Sequence, residues 1–291
     1  MSLEDRETPG RLLRRYGLSP KKAFSQNFMV SPQAVAAVVR GCLSSEGNEG
    51  NGGPVVELGA GLGTLTAALA RAGARVYAVE RDRDLVAVLE AEFARSDAVQ
   101  IVAGNAATID FSRFTSKEHP RIRVVGNLPY AITGAIIKHL TASRNHLSLA
   151  VLTLQREVSD RLQADPGSPQ YGALTVFAQA AFRIRTVKHL SASAFFPRPK
   201  VTSSIIQLIP LDPPRAIETD TFRALVHAAF QGRRKMLRNA LNQMGENDAA
   251  RIGRVLSQAG IDGRRRGETL SIEEFARLSA HWDKCFEVDG R

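Results

Sequence analysis

Apolar and polar residues alternate along the first two thirds of the chain in a repeated strand-then-helix pattern. Strands are predicted over residues 54–58, 75–80, 99–104, 121–127 and 147–154. Helical periodicity fills the first two intervals between these strands, and an earlier helix is predicted to follow Ser31, a suitable N-cap with Pro32 at the first helical position. Buried strands that alternate with amphipathic helices are typical of a doubly wound, mainly parallel α/β sheet.

The pattern changes near residue 210. Residues 182–190 and 202–211 have the β-branched composition of late strands, which we expect at an antiparallel end of the sheet. A segment with two prolines follows, and periodicity then becomes helical, with Ser271 and Glu274 spaced as a capping box. We therefore predict an α/β domain over residues 1–210, including a basic N-terminal arm within residues 1–30, and a small all-helical domain over residues 211–291.

The first strand ends in Glu57 and Leu58, and a glycine-rich turn follows it. Gly59 and Gly61 allow a sharp turn and close approach of a ligand, but Thr64 occupies the position of the last glycine of the dinucleotide fingerprint. Glu57 would repel a pyrophosphate and attract an ammonium group. Glu80 closes the second strand, where its carboxylate can accept hydrogen bonds from a ribose. These features favour S-adenosylmethionine over a nicotinamide cofactor, although Glu80 has the alternative of a solvated acid at a strand end.

Asn105 directly follows the third strand, where its side chain can meet the adenine amine of such a cofactor; the alternative is an asparagine that only forms a turn. The fourth strand runs into Asn127, Leu128, Pro129 and Tyr130. A carboxamide oxygen and a backbone carbonyl can each accept one hydrogen of an aromatic amine and direct its lone pair at a methyl group. Tyr130 offers a ring on which a base can stack. The alternative is an ordinary strand-to-helix turn.

Composition limits the class of protein and its partners. The 291 residues carry a formal net charge of +10, which favours a polyanionic partner. The two cysteines are far apart and form no CxxC pair, so we expect no disulfide framework and no metal site. The N-terminal residues lack an apolar signal region, and no apolar stretch is long enough to span a membrane. We expect a soluble cytoplasmic protein without a membrane partner.

Six segments in this order resemble the KsgA family of ribosomal RNA adenine dimethyltransferases, from about residue 15 to residue 280. They are KKAFSQNFMV (21–30), VVELGAGLGTLT (55–66), VYAVERD (76–82), VVGNLPYAIT (124–133), LQREVSDRL (154–162) and AFFPRPKVTSSI (194–205). The resemblance implies a Rossmann-like class I methyltransferase fold that binds S-adenosylmethionine. It also implies dimethylation of two adjacent adenosines in the 3'-terminal hairpin of 16S ribosomal RNA within an immature small subunit.

The resemblance also implies roles for individual residues. The cofactor pocket is expected to be lined by Asn27, Met29, Gly59, Gly61, Glu80, Asn105 and Asn127. The target adenine is expected against Asn127–Tyr130, with Phe195 packing on its other face, although core packing is the alternative for Phe195. The family usually has an aspartate at the position of Asn105, so loss of a charge-assisted hydrogen bond is expected to weaken cofactor binding.

Basic residues in the helical domain are the candidate RNA contacts. Arg233, Arg234, Lys235 and Arg238 lie within two helical turns, and residues 264–266 add a second cluster. Such residues suit phosphate contacts that position the enzyme, and a solvated helix face is the alternative. Two other functions stay open: the related methylase of large-subunit RNA that confers macrolide resistance, and a non-catalytic assembly or transcription factor on the same fold.

Overall fold

A computed structural model describes residues 7–21, 26–43, 53–232, 234–244 and 248–286, without the side chain of residue 286. The chain forms two compact units. One consists of Met1–Ser159 and Arg183–Pro210, and the other consists of Asp160–Phe182 and Leu211–Arg291. No helix among the described residues is long and apolar enough to cross a membrane.

The first unit is built on a seven-stranded sheet. Its strands are β2 (Val55–Leu58), β3 (Val76–Glu80), β4 (Val99–Ala103), β5 (Ile122–Asn127), β6 (Leu147–Gln155), β7 (Phe182–Leu190) and β9 (Ser203–Pro210). They follow the order β4-β3-β2-β5-β6-β9-β7. The pairs from β4 to β6 are parallel, and β9 is antiparallel to β6. The expected α/β fold with a parallel sheet and a late antiparallel strand is confirmed.

Helices occupy both units of the chain. They are α1 (Pro9–Arg15), α2 (Pro32–Leu43), α3 (Thr64–Arg71), α4 (Arg83–Phe93), α5 (Thr133–Ala142), α6 (Arg156–Leu162), α7 (Ala173–Ala181), α8 (Asp220–Gln231), α9 (Leu237–Leu241), α10 (Ala249–Gln258) and α11 (Ile272–Phe286). The Ser31 hydroxyl accepts a hydrogen bond from the Ala34 amide at 3.3 Å, so the predicted cap of α2 is present. The apolar side of α2 is buried with strand residues such as Val55 and Val151.

A short antiparallel ribbon lies beside this sheet unit. Its strands are β1 (Phe28–Met29) and β8 (Phe195–Phe196), in the register Phe28 opposite Phe196 and Met29 opposite Phe195. The Val30 amide extends the contact by donating to the Ala194 carbonyl at 2.8 Å. The ribbon thereby joins two segments that are far apart in sequence and places the residues before α2 at a defined position.

The helical unit has its own apolar core, which includes Phe222, Val255 and Phe275. Ser271 and Glu274 form the predicted capping box: the Ser271 amide donates to the Glu274 carboxylate at 2.8 Å and the Glu274 amide donates to the Ser271 hydroxyl at 3.2 Å. The basic residues expected within two helical turns are only partly helical, because α9 begins at Leu237, after Arg234 and Lys235, and a 3₁₀ turn follows it.

The division into units differs from the boundary expected at residue 210 in one respect. Residues 160–182, including α7, group with the C-terminal helices. The physical reason is the apolar face of α7, whose Val176 and Ala180 are buried in the same core as Phe222. Just before α7, the Tyr171 hydroxyl donates to the Leu270 carbonyl at 2.9 Å.

Candidate cofactor and acceptor site

The turn between β2 and α3 forms one wall of a pocket at the carboxyl ends of the parallel strands. Gly59, Gly61 and Gly63 all have positive φ, at 74°, 59° and 75°. Side chains rarely adopt this conformation, which explains the glycines. A Cβ at Gly59 would meet no atom within 4 Å, so the backbone at this position is open to a ligand.

Three carboxylates line this pocket: Glu57, Glu80 and Asp82. Glu57 is 2% exposed, and its carboxylate accepts a hydrogen bond from the Thr66 hydroxyl at 2.5 Å. The lining residues include one cationic side chain, that of Arg81. A pyrophosphate would be repelled by this set of charges, whereas a cationic amino acid joined to a ribose would be attracted. The donors and acceptors therefore fit S-adenosylmethionine and do not fit a dinucleotide.

Backbone amides hold the Glu80 carboxylate in place. One oxygen accepts from the Gly61 amide at 2.8 Å, and the other accepts from the Arg81 and Asp82 amides at 2.7 and 2.8 Å. A carboxylate has about four lone-pair sites, so about one remains for a ligand. One ribose hydroxyl can thus be bound without displacing a protein donor, and a second must share an oxygen.

Asn105 lies in the same pocket and also forms a local turn. Its side-chain oxygen accepts from the Ala107 amide at 3.1 Å, and its backbone carbonyl accepts from the Thr108 and Ile109 amides. Asn105 therefore has the turn-forming role that was its alternative. Because an amide oxygen has two lone pairs, one acceptor position remains available for an adenine amine.

The acceptor tetrapeptide begins where β5 ends. The Asn127 amide nitrogen donates to the Asn27 backbone carbonyl at 2.7 Å, which leaves the side-chain oxygen as the group available to a substrate. The Pro129 carbonyl already accepts bonds from Ile132 and Thr133, both at 3.2 Å. Within the described part of the chain no hydrogen bond reaches the Leu128 carbonyl, while the Leu128 amide donates to the Thr153 carbonyl at 3.0 Å.

Tyr130 lies between this pocket and a second pocket beside it. Gln26, Asn27 and Tyr130 line both pockets, and the second is completed by Pro20, Lys21, Gln155, Pro197, Pro199, Lys200 and Val201. The Tyr130 hydroxyl lies 3.2 Å from the hydroxyl of Ser203, which is buried at the start of β9. The tetrapeptide is therefore held by Asn27 at one end and by Ser203 at the other.

Phe195 does not line either of these pockets. Its side chain is 3% exposed and lies in the core cluster that contains Met29, Ala194 and Ile205. The segment that contains it contributes Pro197, Pro199, Lys200 and Val201 to the second pocket instead. This structure therefore does not support the expected stacking of Phe195 on a base. It places the ring in the core, which was the alternative role.

The other expected residues of the site lie together. Asn27, Met29, Gly59, Gly61, Glu80, Asn105, Asn127, Leu128, Pro129 and Tyr130 all line the first pocket. Sequence reasoning did not assign Gln26 and Asp82 to it. Asp82 is the N-cap of α4, with its carboxylate accepting from the Asp84 amide at 3.2 Å. An aspartate before a helix predicts an N-cap, so the sequence contains no separate signal that Asp82 also lines the pocket.

The candidate RNA contacts lie in the helical unit. Arg234, Lys235 and Arg238 are exposed, whereas Arg233 lies outside the described residues. The Leu237 amide donates to the Arg265 carbonyl at 2.7 Å and the Arg238 amide donates to the Gly263 carbonyl at 3.0 Å. These bonds bring residues 264–266 beside the start of α9, so the described residues of the two basic clusters lie next to each other.

Arg265 has a structural role within these clusters. Its guanidinium bonds both carboxylate oxygens of Glu274, at 2.5 and 3.0 Å. Arg264 bonds Asp262 at 2.9 Å and, with the backbone at that turn, lowers the pKa of the aspartate to about 2. Among the described residues, no group of three or more His, Cys, Asp or Glu side chains is arranged to hold a metal ion.

Comparisons of sequence agree with this geometry. The family model of ribosomal RNA adenine dimethylases matches residues 17–278. A ribosomal RNA small subunit methyltransferase A of Myxococcus xanthus is 43% identical over 277 residues, covering 94% of each chain. The protein of the same name from Moorella thermoacetica is 41% identical over 284 residues, covering 94% of this chain and 96% of its own.

Solved structures with low sequence identity share the fold. A dimethyladenosine transferase from Plasmodium falciparum superposes with a TM-score of 0.72 at 20% identity, over 89% of this chain and 98% of its own. The 23S ribosomal RNA methyltransferase ErmE superposes with a TM-score of 0.61 at 24% identity, over 88% of this chain and all (100%) of its own. The fold is that of the class I methyltransferases. The chain belongs to the ribosomal RNA adenine dimethylase family and is an S-adenosylmethionine-dependent methyltransferase.

Proposed function

We propose that this enzyme methylates the exocyclic amines of two adjacent adenosines in the 3'-terminal hairpin of small-subunit ribosomal RNA, twice each, during subunit assembly. The observation that carries the proposal is that Asn127–Tyr130 lines the first pocket and that its last residue, Tyr130, also lines the second. One pocket has the acceptors that suit the cofactor, and the other gives a base access to Tyr130, at the end of the same tetrapeptide. We also propose a cytoplasmic location, because the substrate is part of the ribosome.

Four parts of the chain would hold the cofactor in the first pocket. The open backbone at Gly59, the turn at Gly61 and the buried Glu57 carboxylate would surround the amino-acid portion. Glu80 would accept a hydrogen bond from a ribose hydroxyl, and Asn105 would accept one from the adenine amine. Asn27 and Met29 close the pocket from the N-terminal side. When bound, S-adenosylmethionine supplies an electrophilic methyl group on a positively charged sulfur.

The tetrapeptide prepares the nucleophile. The amine of adenine is a weak nucleophile because its lone pair is delocalised into the ring. The Asn127 side-chain oxygen and the Leu128 carbonyl each accept one amine hydrogen, which bends the nitrogen out of conjugation and directs its lone pair into the cofactor pocket. The Leu128 carbonyl is the second acceptor, because the Pro129 carbonyl already accepts two hydrogen bonds.

Tyr130 positions the base, and no general base is required. Stacking of an unpaired base on its ring contributes about 1–3 kcal/mol. The Ser203 hydroxyl restrains the ring orientation. Nitrogen carries the positive charge after transfer, so its proton is acidic and leaves to water. The base must be unstacked from its neighbours to reach this position.

The helical unit supplies non-specific contacts. Arg234, Lys235 and Arg238 are exposed beside the 264–266 turn and suit phosphate oxygens of a folded RNA. Such contacts orient the enzyme without identifying the sequence. The choice of the small subunit over the large subunit is supported by the relatives at 43% and 41% identity, whose names specify the small subunit.

Transfer of labelled methyl groups to isolated ribosomal subunits tests the proposed substrate. We expect incorporation into 30S subunits from a dimethylation-deficient strain, with N6,N6-dimethyladenosine at two adjacent positions. Subunits from the wild-type strain are the matched control and should accept little, because their sites are already modified. Preferential incorporation into 50S precursors would favour a large-subunit methylase, and no incorporation into either would favour a binding factor.

A further inference from the structure

A group of polar contacts joins the N-terminal arm to the residues after β3. The Lys21 ammonium donates to one oxygen of Asp82 at 2.6 Å and to Asp84 at 2.7 Å, and the Gln26 amide donates to the other Asp82 oxygen at 2.9 Å. The Lys21 backbone amide donates to the Gln26 side-chain oxygen at 2.8 Å. We call Lys21, Gln26 and Asp82 the arm anchor.

The arm anchor lies next to the hydrogen bond that fixes Asn127. Gln26 is followed directly by Asn27, whose backbone carbonyl accepts from the Asn127 amide nitrogen at 2.7 Å. Asn27 is in turn followed by β1, where Phe28 and Met29 pair with β8. The Asn27 carbonyl is therefore held between the anchor on one side and the ribbon on the other.

We propose that Lys21 and Gln26 are positioning residues for methyl transfer, which act by holding the Asn27 carbonyl where it sets the orientation of the Asn127 side chain. The inference rests on the proposed role of Asn127 as the acceptor of the amine hydrogens. Lys21 and Gln26 do not take part in the reaction themselves. The anchor determines whether the oxygen or the nitrogen of the Asn127 carboxamide faces the substrate.

The need for such a device follows from the shape of asparagine. The oxygen and nitrogen ends of a carboxamide are nearly equal in size, so packing alone distinguishes them poorly. A substrate amine requires the oxygen end, because the NH₂ end would oppose donor with donor. A backbone carbonyl can only accept, so the Asn27 carbonyl binds the nitrogen end of Asn127 and leaves the oxygen end for the substrate.

The anchor is suited to hold this arrangement at neutral pH. Asp82 is 5% exposed. Burial alone would raise its pKa, but hydrogen bonds from Lys21 and Gln26 outweigh that effect and lower it. The Asp82 and Asp84 carboxylates likewise raise the pKa of Lys21. The anchor therefore keeps both charges when the enzyme works. The Asp82 amide also donates to Glu80, so the anchor adjoins the proposed ribose contact.

Lys21→Met and Gln26→Leu test the proposal without altering Asn127. Single-turnover methyl transfer to the small subunit and calorimetric binding of S-adenosylmethionine are measured for each variant. We expect a loss of transfer rate on the order of tenfold in both variants. Cofactor affinity should change little in Lys21→Met, because Lys21 does not line the cofactor pocket, whereas Gln26 does. Lys21→Arg should restore much of the rate, and Lys117→Met, at an exposed lysine away from the anchor, should leave it unchanged.

The Asn127→Asp variant distinguishes an effect on the orientation of the Asn127 side chain from a general loss of protein stability. This variant keeps an acceptor oxygen but has no NH₂ to donate to the Asn27 carbonyl. Lys21→Met should therefore slow the wild type but add little to Asn127→Asp. In ¹⁵N spectra, the side-chain amide resonance of Asn127, assigned by its absence from Asn127→Asp, should shift in Lys21→Met and not in Lys117→Met.

Three results would overturn the proposal: wild-type rates in both anchor variants, equal losses from Lys21→Met with and without Asn127→Asp, or an unshifted Asn127 resonance. A wild-type enzyme that transfers no methyl group to the small subunit would instead contradict the proposed function, and the resonance would still test the anchor.

Discussion

Asn105 combines a structural and a binding contact in one side chain. Its oxygen accepts from the Ala107 amide at 3.1 Å and also lines the cofactor pocket. A carboxylate at this position would keep the turn and add charge to the bond with the adenine amine. We therefore predict that Asn105→Asp binds S-adenosylmethionine several-fold more tightly in a calorimetric titration. Asn105→Ala is the control and should bind more weakly; a weaker Asn105→Asp complex would refute this explanation.

The two cysteines differ in their surroundings. Cys42 is 0% exposed at the end of α2, and burial raises its pKa to about 12, although Arg123 acts in the opposite direction. Cys285 is partly exposed. Because the thiolate is the reactive form, we predict that an aromatic disulfide reagent at about pH 8 modifies one thiol of the native protein and both after denaturation. Cys285→Ser should abolish the native reaction; rapid labelling of native Cys42 would contradict the prediction.

At the residue scale, the residues that carry the chemistry could be predicted from the sequence, whereas their hydrogen-bond partners could not. Asn127–Tyr130 and Glu80 could be selected because their residue types suit the reaction and follow predicted strands. The bond from Asn127 to the Asn27 carbonyl spans 100 positions and uses a backbone atom, which has no sequence signature. The sequence left two roles open for Phe195, because an aromatic residue in a family segment can contact either a base or the core, and in this structure its ring is buried in the core.

The glycines in the turn from β2 to α3 differ in what a side chain at each position would contact. A Cβ at Gly63 would lie 2.5 Å from Phe93 Cε2 and 2.9 Å from Leu89 Cδ2, with φ at 75°. A Cβ at Gly59 would have the same unfavourable φ but no neighbour within 4 Å. We predict that Gly63→Ala lowers the free energy of unfolding by about 2–4 kcal/mol and Gly59→Ala by about 1 kcal/mol.

Urea denaturation monitored by circular dichroism measures both values. Gly59→Ala is the control for backbone strain without the steric clash, and it should also bind the cofactor less tightly because it lines the pocket. Equal losses of stability in the two variants would show that the contacts of Gly63 with α4 do not matter.

At the element scale, the strands were easier to predict than several helices. The five predicted parallel strands are short apolar runs bounded by polar turns, so their pattern is distinctive. The helices α1, α5 and α6 were not predicted. The unit to which α7 belongs is determined by tertiary contacts, because its apolar residues Val176 and Ala180 could pack against either a sheet or other helices. Strand order likewise depends on contacts that no local pattern contains.

Net charge of the whole molecule indicated a polyanionic partner but not the surface that meets it. The structure brings Arg234, Lys235 and Arg238 beside the 264–266 turn. We predict that replacing these three residues by alanine weakens binding to small subunits and lowers the slope of log affinity against log salt by about 1–3. Cofactor binding should be unchanged, because none of the three lines the cofactor pocket.

A matched variant separates local contacts from total charge. Replacement of the exposed Arg95, Arg113 and Lys117 by alanine removes the same formal charge from the sheet unit. A filter-binding series over several salt concentrations should give a smaller change of slope for this control. Equal slopes for the two triple variants would indicate that net charge, rather than the surface beside α9, determines the affinity.

Single-turnover methyl transfer by Asn127→Ala, with cofactor affinity measured on the same preparation, tests the central claim most directly. The substitution removes the oxygen that accepts the amine hydrogen but leaves Glu80, Asn105 and the glycine turn in place. We predict that transfer to dimethylation-deficient small subunits is lost, while S-adenosylmethionine still binds with partly reduced affinity. Turnover comparable to that of the wild type would contradict the assignment of Asn127 as the acceptor of the adenine amine.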